Sequence, residues 1–282
     1  MIKALETYDG TLVIPEGFEQ IPESACTGRE DIRRVVIPQS VYSIGPEAFA
    51  ECTALEEVIF PDSFLHISAA AFLNCSALSR VKLSRDLQSI NEGAFLGCTA
   101  LKTLELPNTL EFIGEMAFWC SGLEEISVPA RVQQISENAF WDCAELRRAE
   151  VLGADTRIEK NAFGNCPLLT EGFFAPGYPE DDSPPAQLLY TLLWCSCPQQ
   201  HNPDTSRRAA EFIRQQEELM MERILKSRNA AALNGIVSQG LLEPSHVDGY
   251  IRACAEIGAT ELTALLLQAK HSATNMEEEF DL

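Results

Sequence analysis

The fold is decided by the stretch LEEVIFPDSFLHISAAAFLNCSAL, residues 55–78. Its first part alternates apolar and polar side chains from Leu55 onward and ends at Pro61, which is typical of a short strand because proline cannot donate to a sheet. Its second part contains Phe72 and Cys75 in a segment too short for a full helix, which predicts a single helical or 3₁₀ turn. One such unit therefore predicts a strand followed by a turn.

This unit recurs every 23 residues. An Ala-Phe pair followed by a cysteine is found six times, at Phe49/Cys52, Phe72/Cys75, Phe95/Cys98, Phe118/Cys120, Phe140/Cys143 and Phe163/Cys166. The spacing falls to 22 between Phe118 and Phe140, because one residue is missing between Phe118 and Cys120. A fixed period of this length predicts a solenoid, in which each coil buries its apolar face against its neighbours and the surface serves for binding.

The N-terminal region continues the repeat in a decayed form. Cys26 takes the position of Phe49, and a further step back reaches Leu12. Asp9-Gly10 stands between two runs of strand-forming residues and is a strong signal for a β-hairpin. We expect this hairpin to cover the open end of the sheet and to prevent pairing between molecules at that edge.

The pattern Cys-x-x-Leu-x-x-Val-x-Leu-Pro, followed by Ile-x-x-x-Ala-Phe, resembles the BspA-like, treponemal-type leucine-rich repeat of 23 residues, over about residues 12–170. The resemblance implies an α/β repeat fold, namely a right-handed leucine-rich-repeat solenoid with a parallel sheet on its concave side and no catalytic machinery. Members of the family are often surface adhesins of host-associated bacteria. Residues 1–25 lack a basic start followed by an apolar run, so we expect a cytoplasmic protein. The alternative is a cell-surface or secreted adhesin whose export signal is absent from this chain.

After Leu169 the repeat stops and helical patterns begin. A long helix is expected from Asp204 to about Ser227, Asn229 is a candidate N-cap for the next, and Gly240 is suited to end it. The predicted organisation is a solenoid with an N-terminal hairpin (1–175), a proline-rich linker (176–185), a small all-α helical domain (186–272) and an acidic tail (273–282).

Composition limits the possible partners. The chain has 21 basic and 42 acidic residues and a net charge of −21, which disfavours nucleic acid and anionic membranes because both require basic patches. The strongly apolar run 188–194 is far shorter than the ~18 residues that a membrane-spanning helix needs. We therefore expect a protein partner, with no nucleic acid and no membrane insertion.

The cysteines and histidines do not indicate catalysis. Six cysteines recur at one repeat position and are expected to stack as reduced, buried side chains, because parallel Cα–Cβ directions do not give a disulfide dihedral. Cys195, Cys197 and His201 resemble part of a zinc site but do not supply four ligands. His66 falls at an outward position of its repeat. We expect no cofactor, no metal and no enzyme activity.

Two columns of outward residues lie along the predicted strands. They read Arg33, Glu56, Ser79, Lys102, Glu124, Arg147 and Arg34, Glu57, Arg80, Thr103, Glu125, Arg148. Neither column places like charges side by side. One interpretation is a set of mutually satisfied surface charges that keeps the sheet soluble. The other is a mixed-charge surface for a protein partner.

A second candidate surface follows the phenylalanine, where the column reads Ala50, Leu73, Leu96, Trp119, Trp141, Gly164. Exposed apolar stripes of this kind usually mark an interface. The alternative is that these residues pack within the convex wall or beneath the C-terminal domain, because tryptophan is on average highly buried. The candidate partner-binding residues are Trp119, Trp141, Leu73, Leu96, Arg33, Glu56, Arg80, Lys102, Glu124 and Arg147. The predicted function is a non-enzymatic protein–protein interaction scaffold that uses the solenoid surface.

Overall fold

The computed structural model describes residues 6–169, 171–174, 191–192, 195 and 203–280. The chain divides into two compact units, the first built mainly from residues 1–169 and the second mainly from residues 183–282. The predicted linker, residues 176–185, lies outside the described residues.

The first unit is a parallel-sheet solenoid with two strands in each complete coil except one, in which the described residues form only a short strand. The longer strands are β1 (Thr7–Tyr8), β2 (Thr11–Val13), β4 (Arg34–Val36), β6 (Glu57–Ile59), β8 (Arg80–Lys82), β11 (Glu125–Val128), β13 (Arg148–Val151) and β15 (Glu171–Phe174). The shorter strands are β3 (Gln20–Ile21), β5 (Ser43–Ile44), β7 (His66–Ile67), β9 (Ser89–Ile90), β10 (Phe112–Ile113), β12 (Gln134–Ile135) and β14 (Arg157–Ile158). The predicted parallel sheet is confirmed, and the short second ladder is an addition to it.

Strand register follows the repeat. Val35 pairs with Val58 and Val58 with Val81, so equivalent side chains of successive coils lie directly beside one another. At the N-terminus, β1 and β2 pair antiparallel around Asp9 and Gly10, which both have positive φ, and this confirms the predicted hairpin. The hairpin is held to the first coil by the Thr7 hydroxyl, which donates to Asp31 at 2.7 Å.

The Ala-Phe segment forms turns rather than the helical or 3₁₀ turn expected from its length. Two residues of left-handed conformation flank each phenylalanine, such as Ala70 and Asn74 around Phe72. This geometry directs the main chain toward the next coil, so that the Phe72 N–H donates to the Ala94 carbonyl at 2.9 Å. Hydrogen bonds between coils therefore alternate with i→i+3 bonds within the coil, such as the bond from the Leu73 N–H to the Ala70 carbonyl at 3.1 Å.

The phenylalanines form the centre of the core. All six are buried, and successive rings stack with centroids 4.8 to 5.5 Å apart, from Phe49 through Phe72, Phe95, Phe118 and Phe140 to Phe163. Offset stacking of this kind adds about 0.5–1.5 kcal/mol per pair to the free energy gained from burial. The core of the solenoid thus runs continuously from coil to coil.

The ladder of longer strands is interrupted in its fourth complete coil. Where the ladder is intact, as between β4 and β6, main-chain groups bond across the two coils: Glu57 N–H donates to Arg33 O at 3.1 Å, and Ile37 N–H donates to Ile59 O at 3.0 Å. Among the described residues, the segment 103–106 makes no main-chain hydrogen bond to either β8 or β11. The interruption lies beside the 22-residue coil, where a Cβ on Gly122 would stand 2.0 Å from the Thr99 carbonyl oxygen.

The second unit is helical, as predicted. Its described helices are α1 (Pro203–Gln215), α2 (Glu217–Ser227), α3 (Ala230–Ser238), α4 (Val247–Glu256) and α5 (Thr260–Phe280), and a 3₁₀ turn covers Pro244–His246. The Asn229 side chain accepts from the Ala232 N–H and confirms the predicted N-cap. Met220 and Met221 are fully buried and belong to the core of this unit.

Two helix boundaries differ from those expected. The long helix predicted from Asp204 to Ser227 is divided at Gln216, whose φ of −131° and ψ of 33° lie outside the helical range. The last helix continues to Phe280 and so includes most of the segment 273–282 that was expected to be a tail. The glutamate run at 277–279 has high helix propensity and contains no helix breaker, so charge alone does not end the helix.

Candidate functional surfaces

The first charged column consists largely of ion pairs on the surface of the longer strands. Arg33 Nη1 lies 2.9 Å from Glu56 Oε1, and Lys102 Nζ lies 2.8 Å from Glu124 Oε1. The hydrogen bond between the latter two raises the pKa of Lys102 and lowers that of Glu124. Arg147 instead lies 3.8 Å from Glu145 in its own coil. These exposed pairs contribute little to stability because water screens them.

The second column contains a three-membered group. Glu57 accepts from Arg34 Nε at 2.7 Å and from Arg80 Nε at 3.3 Å, and so joins three successive coils. Further along, Arg148 pairs with Glu150 in the same strand. The structure therefore brings Arg33, Glu56 and Arg80 onto one continuous face and places Lys102 and Glu124 together beyond the interruption.

A row of exposed aliphatic side chains, which we call the aliphatic row, lies two residues beyond the second charged column. It consists of Val13, Val36 and Ile59, which pair in register across β2, β4 and β6. Val13 is 55% exposed and Val36 is 39% exposed, whereas Ile59 is half-buried. The sequence reasoning missed this row because it considered the charged positions alone. The row could have been found from strand alternation, because Val36 lies two residues after the outward Arg34 and so must also point outward, whereas Val35 points inward.

The tryptophan stripe is half-buried. Leu73, Leu96, Trp119 and Trp141 all have intermediate exposure. The two indole rings meet edge to face with centroids 6.4 Å apart, and a Cβ on Gly164 would lie 2.3 Å from the Trp141 ring. Trp141 therefore lies closely over the next coil, and each member of the stripe is partly covered by its neighbours.

The cysteine column lies inside the solenoid and forms a regular set of hydrogen bonds. The Sγ–H of Cys75 donates to the carbonyl of Phe49 at 3.1 Å, and that of Cys98 donates to the carbonyl of Phe72 at 3.2 Å. Burial raises the pKa of Cys52 to about 11 and raises the pKa of Cys75 further. The side chains therefore remain protonated donors at neutral pH. The nine cysteines among the described residues are free thiols.

Cys120 is an exception to the predicted column. Its position is taken by Ser121, which is 3% exposed and whose N–H donates to Phe118 O at 3.0 Å. Cys120 instead has a φ of 53° and its Sγ contacts Asp142 Oδ2 at 3.3 Å. The missing residue is therefore absent after Ser121, not between Phe118 and Cys120.

The helical unit contains a polar cluster that sequence reasoning did not identify. The Glu217 carboxylate accepts from the Glu243 N–H at 2.9 Å and from the Tyr250 hydroxyl at 3.1 Å, and it lies 3.2 Å from His246 Nδ1. Burial and the nearby Glu217 charge raise the pKa of Tyr250. The cluster fastens both α4 and the segment before it to the first residue of α2, because one carboxylate contacts three neighbouring polar groups.

The residues suspected of metal binding are only partly within the described chain. Cys195 is fully buried, whereas Cys197 and His201 lie outside the described residues. Within the described part, no three histidine, cysteine, aspartate or glutamate side chains are placed to hold one metal ion. His66 is exposed and its Nδ1 lies 2.9 Å from Ser89 Oγ. Among the described helices, none is both long enough and apolar enough to cross a membrane.

The register, the Ala-Phe turns and the cysteine column define a leucine-rich-repeat solenoid. The family model of the BspA type leucine rich repeat region matches the chain in six copies, over residues 19–147 and 66–175. The chain therefore belongs to the BspA-type leucine-rich repeat family. No curated protein matches its sequence.

Several solved structures are similar to part of the chain. A leucine-rich repeat protein of T. pallidum is 29% identical, with a TM-score of 0.48, and the match covers 58% of this chain and 72% of that one. One from Bacteroides ovatus is 19% identical, with a TM-score of 0.33 and coverage of 58% and 66%. The pneumococcal vaccine antigen PcpA is 18% identical, with a TM-score of 0.44, and the match covers 58% of this chain and 50% of that antigen.

Proposed function

We propose that the protein is a non-enzymatic protein-interaction scaffold and that its partner docks on the face of the longer strands. The observation that carries the proposal is the aliphatic row, which stands in register across three strands beside the group formed by Arg34, Glu57 and Arg80. Apolar side chains flanked by ordered charges resemble the core and rim of a protein interface.

The energetics favour such an interface. Fully burying one exposed valine or isoleucine side chain contributes about 1.5–3 kcal/mol. Val13 and Val36 expose 55% and 39% of their surface, so docking buries only that remainder, and the row of three contributes roughly 2–4 kcal/mol to a binding free energy. The neighbouring ion pairs contribute mainly to specificity and to the rate of association, because they remain exposed and screened. Arg33, Glu56, Arg80, Lys102, Glu124 and Arg147 are the candidate polar contacts.

The half-buried tryptophan stripe is a second candidate surface. Trp119 and Trp141 present part of their rings to solvent beside Leu73 and Leu96. Aromatic residues of this type often dominate binding energies. The chain carries a net charge of −21, so a partner of neutral or basic surface fits either face better than an acidic one.

We propose a cytoplasmic location because the cysteines of the described residues are all free, which is usual in a reducing compartment. The alternative is a bacterial cell-surface or secreted adhesin, a role consistent with the printed description of PcpA as a vaccine antigen. Fractionation of the source cells with an antibody distinguishes the two. Recovery of the protein in the surface or secreted fraction would contradict the cytoplasmic proposal.

The docking face is tested by capture of partners from source cells with the full chain as bait. We expect the double substitution Val36→Glu and Ile59→Glu to remove specific partners, because two buried carboxylates would oppose docking. The control is Leu65→Glu, which alters a side chain that is 38% exposed outside the row. Circular dichroism must show that both variants are folded. If both variants capture the same proteins as the unmodified chain, the aliphatic row is not the interface.

A further inference from the structure

A groove lies at the interruption of the longer-strand ladder. Its volume is about 570 Å³, and it is lined by residues of the unpaired segment beginning at Thr103, of β11 and of β13. A volume of this size lies within the range of pockets that hold ligands. The groove is separate from the aliphatic row, which lies on β2, β4 and β6.

One wall of the groove contains a strand edge that is open to a new partner. In a parallel sheet, the main-chain groups of alternate residues point to the two neighbouring strands in turn. On one side, β11 pairs with β13. Glu125 and Ser127 occupy the repeat positions of Glu57 and Ile59, whose main-chain groups bond to the preceding coil. Among the described residues, the Glu125 N–H and the Ser127 carbonyl have no such partner.

The charged side chains of the groove are mainly acidic. Glu105, Glu125 and Glu150 line it together with Arg148, which pairs with Glu150. Within the described chain, Glu105 and Glu125 form no ion pair, so two exposed carboxylates are available to a ligand. Leu152 adds an apolar surface that is 46% exposed.

We propose that this groove binds an extended, basic segment of a partner protein by strand addition to β11. The main chain of the segment bonds to the open groups of Glu125 and Ser127, its lysine or arginine side chains face Glu105 and Glu125, and an apolar residue contacts Leu152. The four residues of β11 offer about 13 Å of edge, which suits a segment of about four residues. This inference rests on the proposed scaffold function and names the chemistry of one of its ligands.

The test uses the full chain and a fluorescein-labelled peptide of sequence Lys-Val-Lys-Val-Lys, measured by fluorescence anisotropy. Two further peptides carry N-methyl groups on the valines alone or on the lysines alone. Strand addition directs alternate N–H groups to β11, so we expect one methylated peptide to lose about tenfold in affinity and the other to lose less than about threefold. Equal binding of all three, or equal loss by both methylated peptides, would overturn the proposal.

Charge reversal locates the site. We expect Glu125→Arg to weaken peptide binding about tenfold, whereas the control Glu115→Arg, which makes the same charge change at an exposed residue outside the groove, changes it little. Equal losses in the two variants would show that the peptide follows net charge alone. Absence of saturable binding would also overturn the proposal. Either result leaves the scaffold function untouched, because that function is tested on the aliphatic row.

A proline substitution examines the open edge itself. Ser127→Pro removes an N–H that has no partner within the described fold, so we expect a cooperative melting transition and weaker peptide binding. The control, Ile59→Pro, removes a donor at the equivalent position of a paired strand and should lower stability strongly. If both substitutions destabilise the protein equally, the edge of β11 is already paired in solution and is not available for strand addition.

Discussion

Glycine substitution in the run Ala69-Ala70-Ala71 should change stability in opposite directions at adjacent positions. Ala70 has a φ of 52° and Ala69 does not have positive φ, although both are half-buried. The left-handed conformation costs an alanine about 1–2 kcal/mol, whereas glycine loses about 0.5–1 kcal/mol of backbone entropy relative to alanine. We therefore expect Ala70→Gly to raise the free energy of unfolding by about 0.5–1 kcal/mol and Ala69→Gly to lower it by a similar amount.

The assay is urea unfolding followed by circular dichroism, with melting temperatures as a second measure. The two variants have the same composition and should differ by about 1–2 kcal/mol. A reciprocal test is available one coil further on, where Gly93 holds the same repeat position with a φ of 59°. A Cβ there would meet Leu96 Cβ at 3.9 Å, so Gly93→Ala should lose stability through backbone strain without a clash. Similar losses for Ala69→Gly and Ala70→Gly would refute the reasoning.

Three further predictions concern the two cores. Phe95→Ala should lower the free energy of unfolding, measured in urea, by about 3–5 kcal/mol. Phe49→Ala should lower it less, because the preceding coil places a cysteine rather than a ring beside Phe49. Equal losses in the two variants would contradict a continuous ring stack. Burial raises the pKa of Cys52 to about 11 from 9.0, so its contribution to stability is complete below pH 9 and disappears as pH rises through 11. Between pH 9 and pH 11, the melting temperature of the Cys52→Ala variant should therefore fall less than that of the unmodified chain. Glu217→Gln should lower the free energy of unfolding by about 1–3 kcal/mol, because it weakens the hydrogen bonds of the polar cluster. An equal loss in Glu218→Gln, which changes an exposed neighbour, would contradict a stabilising role for the cluster.

The solenoid could be predicted because its information is local and repeated. A strand pattern ending at Pro61 recurs with a fixed period, and repetition places equivalent residues side by side whatever the details of the turn. The hairpin at Asp9-Gly10 and the N-cap at Asn229 were predictable for a similar reason, since each depends on a few adjacent residues. The buried cysteines followed from their shared repeat position.

The conformation of the Ala-Phe turn could not be predicted in this way. Residues as different as Ala70, Gly93 and Met116 adopt positive φ at one repeat position, so residue type gives no consistent signal. Part of this geometry is held by hydrogen bonds to the next coil, such as the bond from the Ala70 N–H to the Glu92 carbonyl at 2.8 Å. The exchange of Cys120 for Ser121 in the column depends on the same contacts, because packing between coils decides which side chain turns inward.

The sequence by itself determined the repeat, the strand register and the inward face of each coil, because side-chain alternation and period are properties of the chain alone. Tertiary structure alone decided where the ladder opens, since Thr103–Leu106 has the same strand pattern as its neighbours and yet pairs with neither in the described fold. Strand pairing requires the main-chain groups of two neighbouring coils to come within bonding distance, and the residue pattern of one strand does not specify that distance.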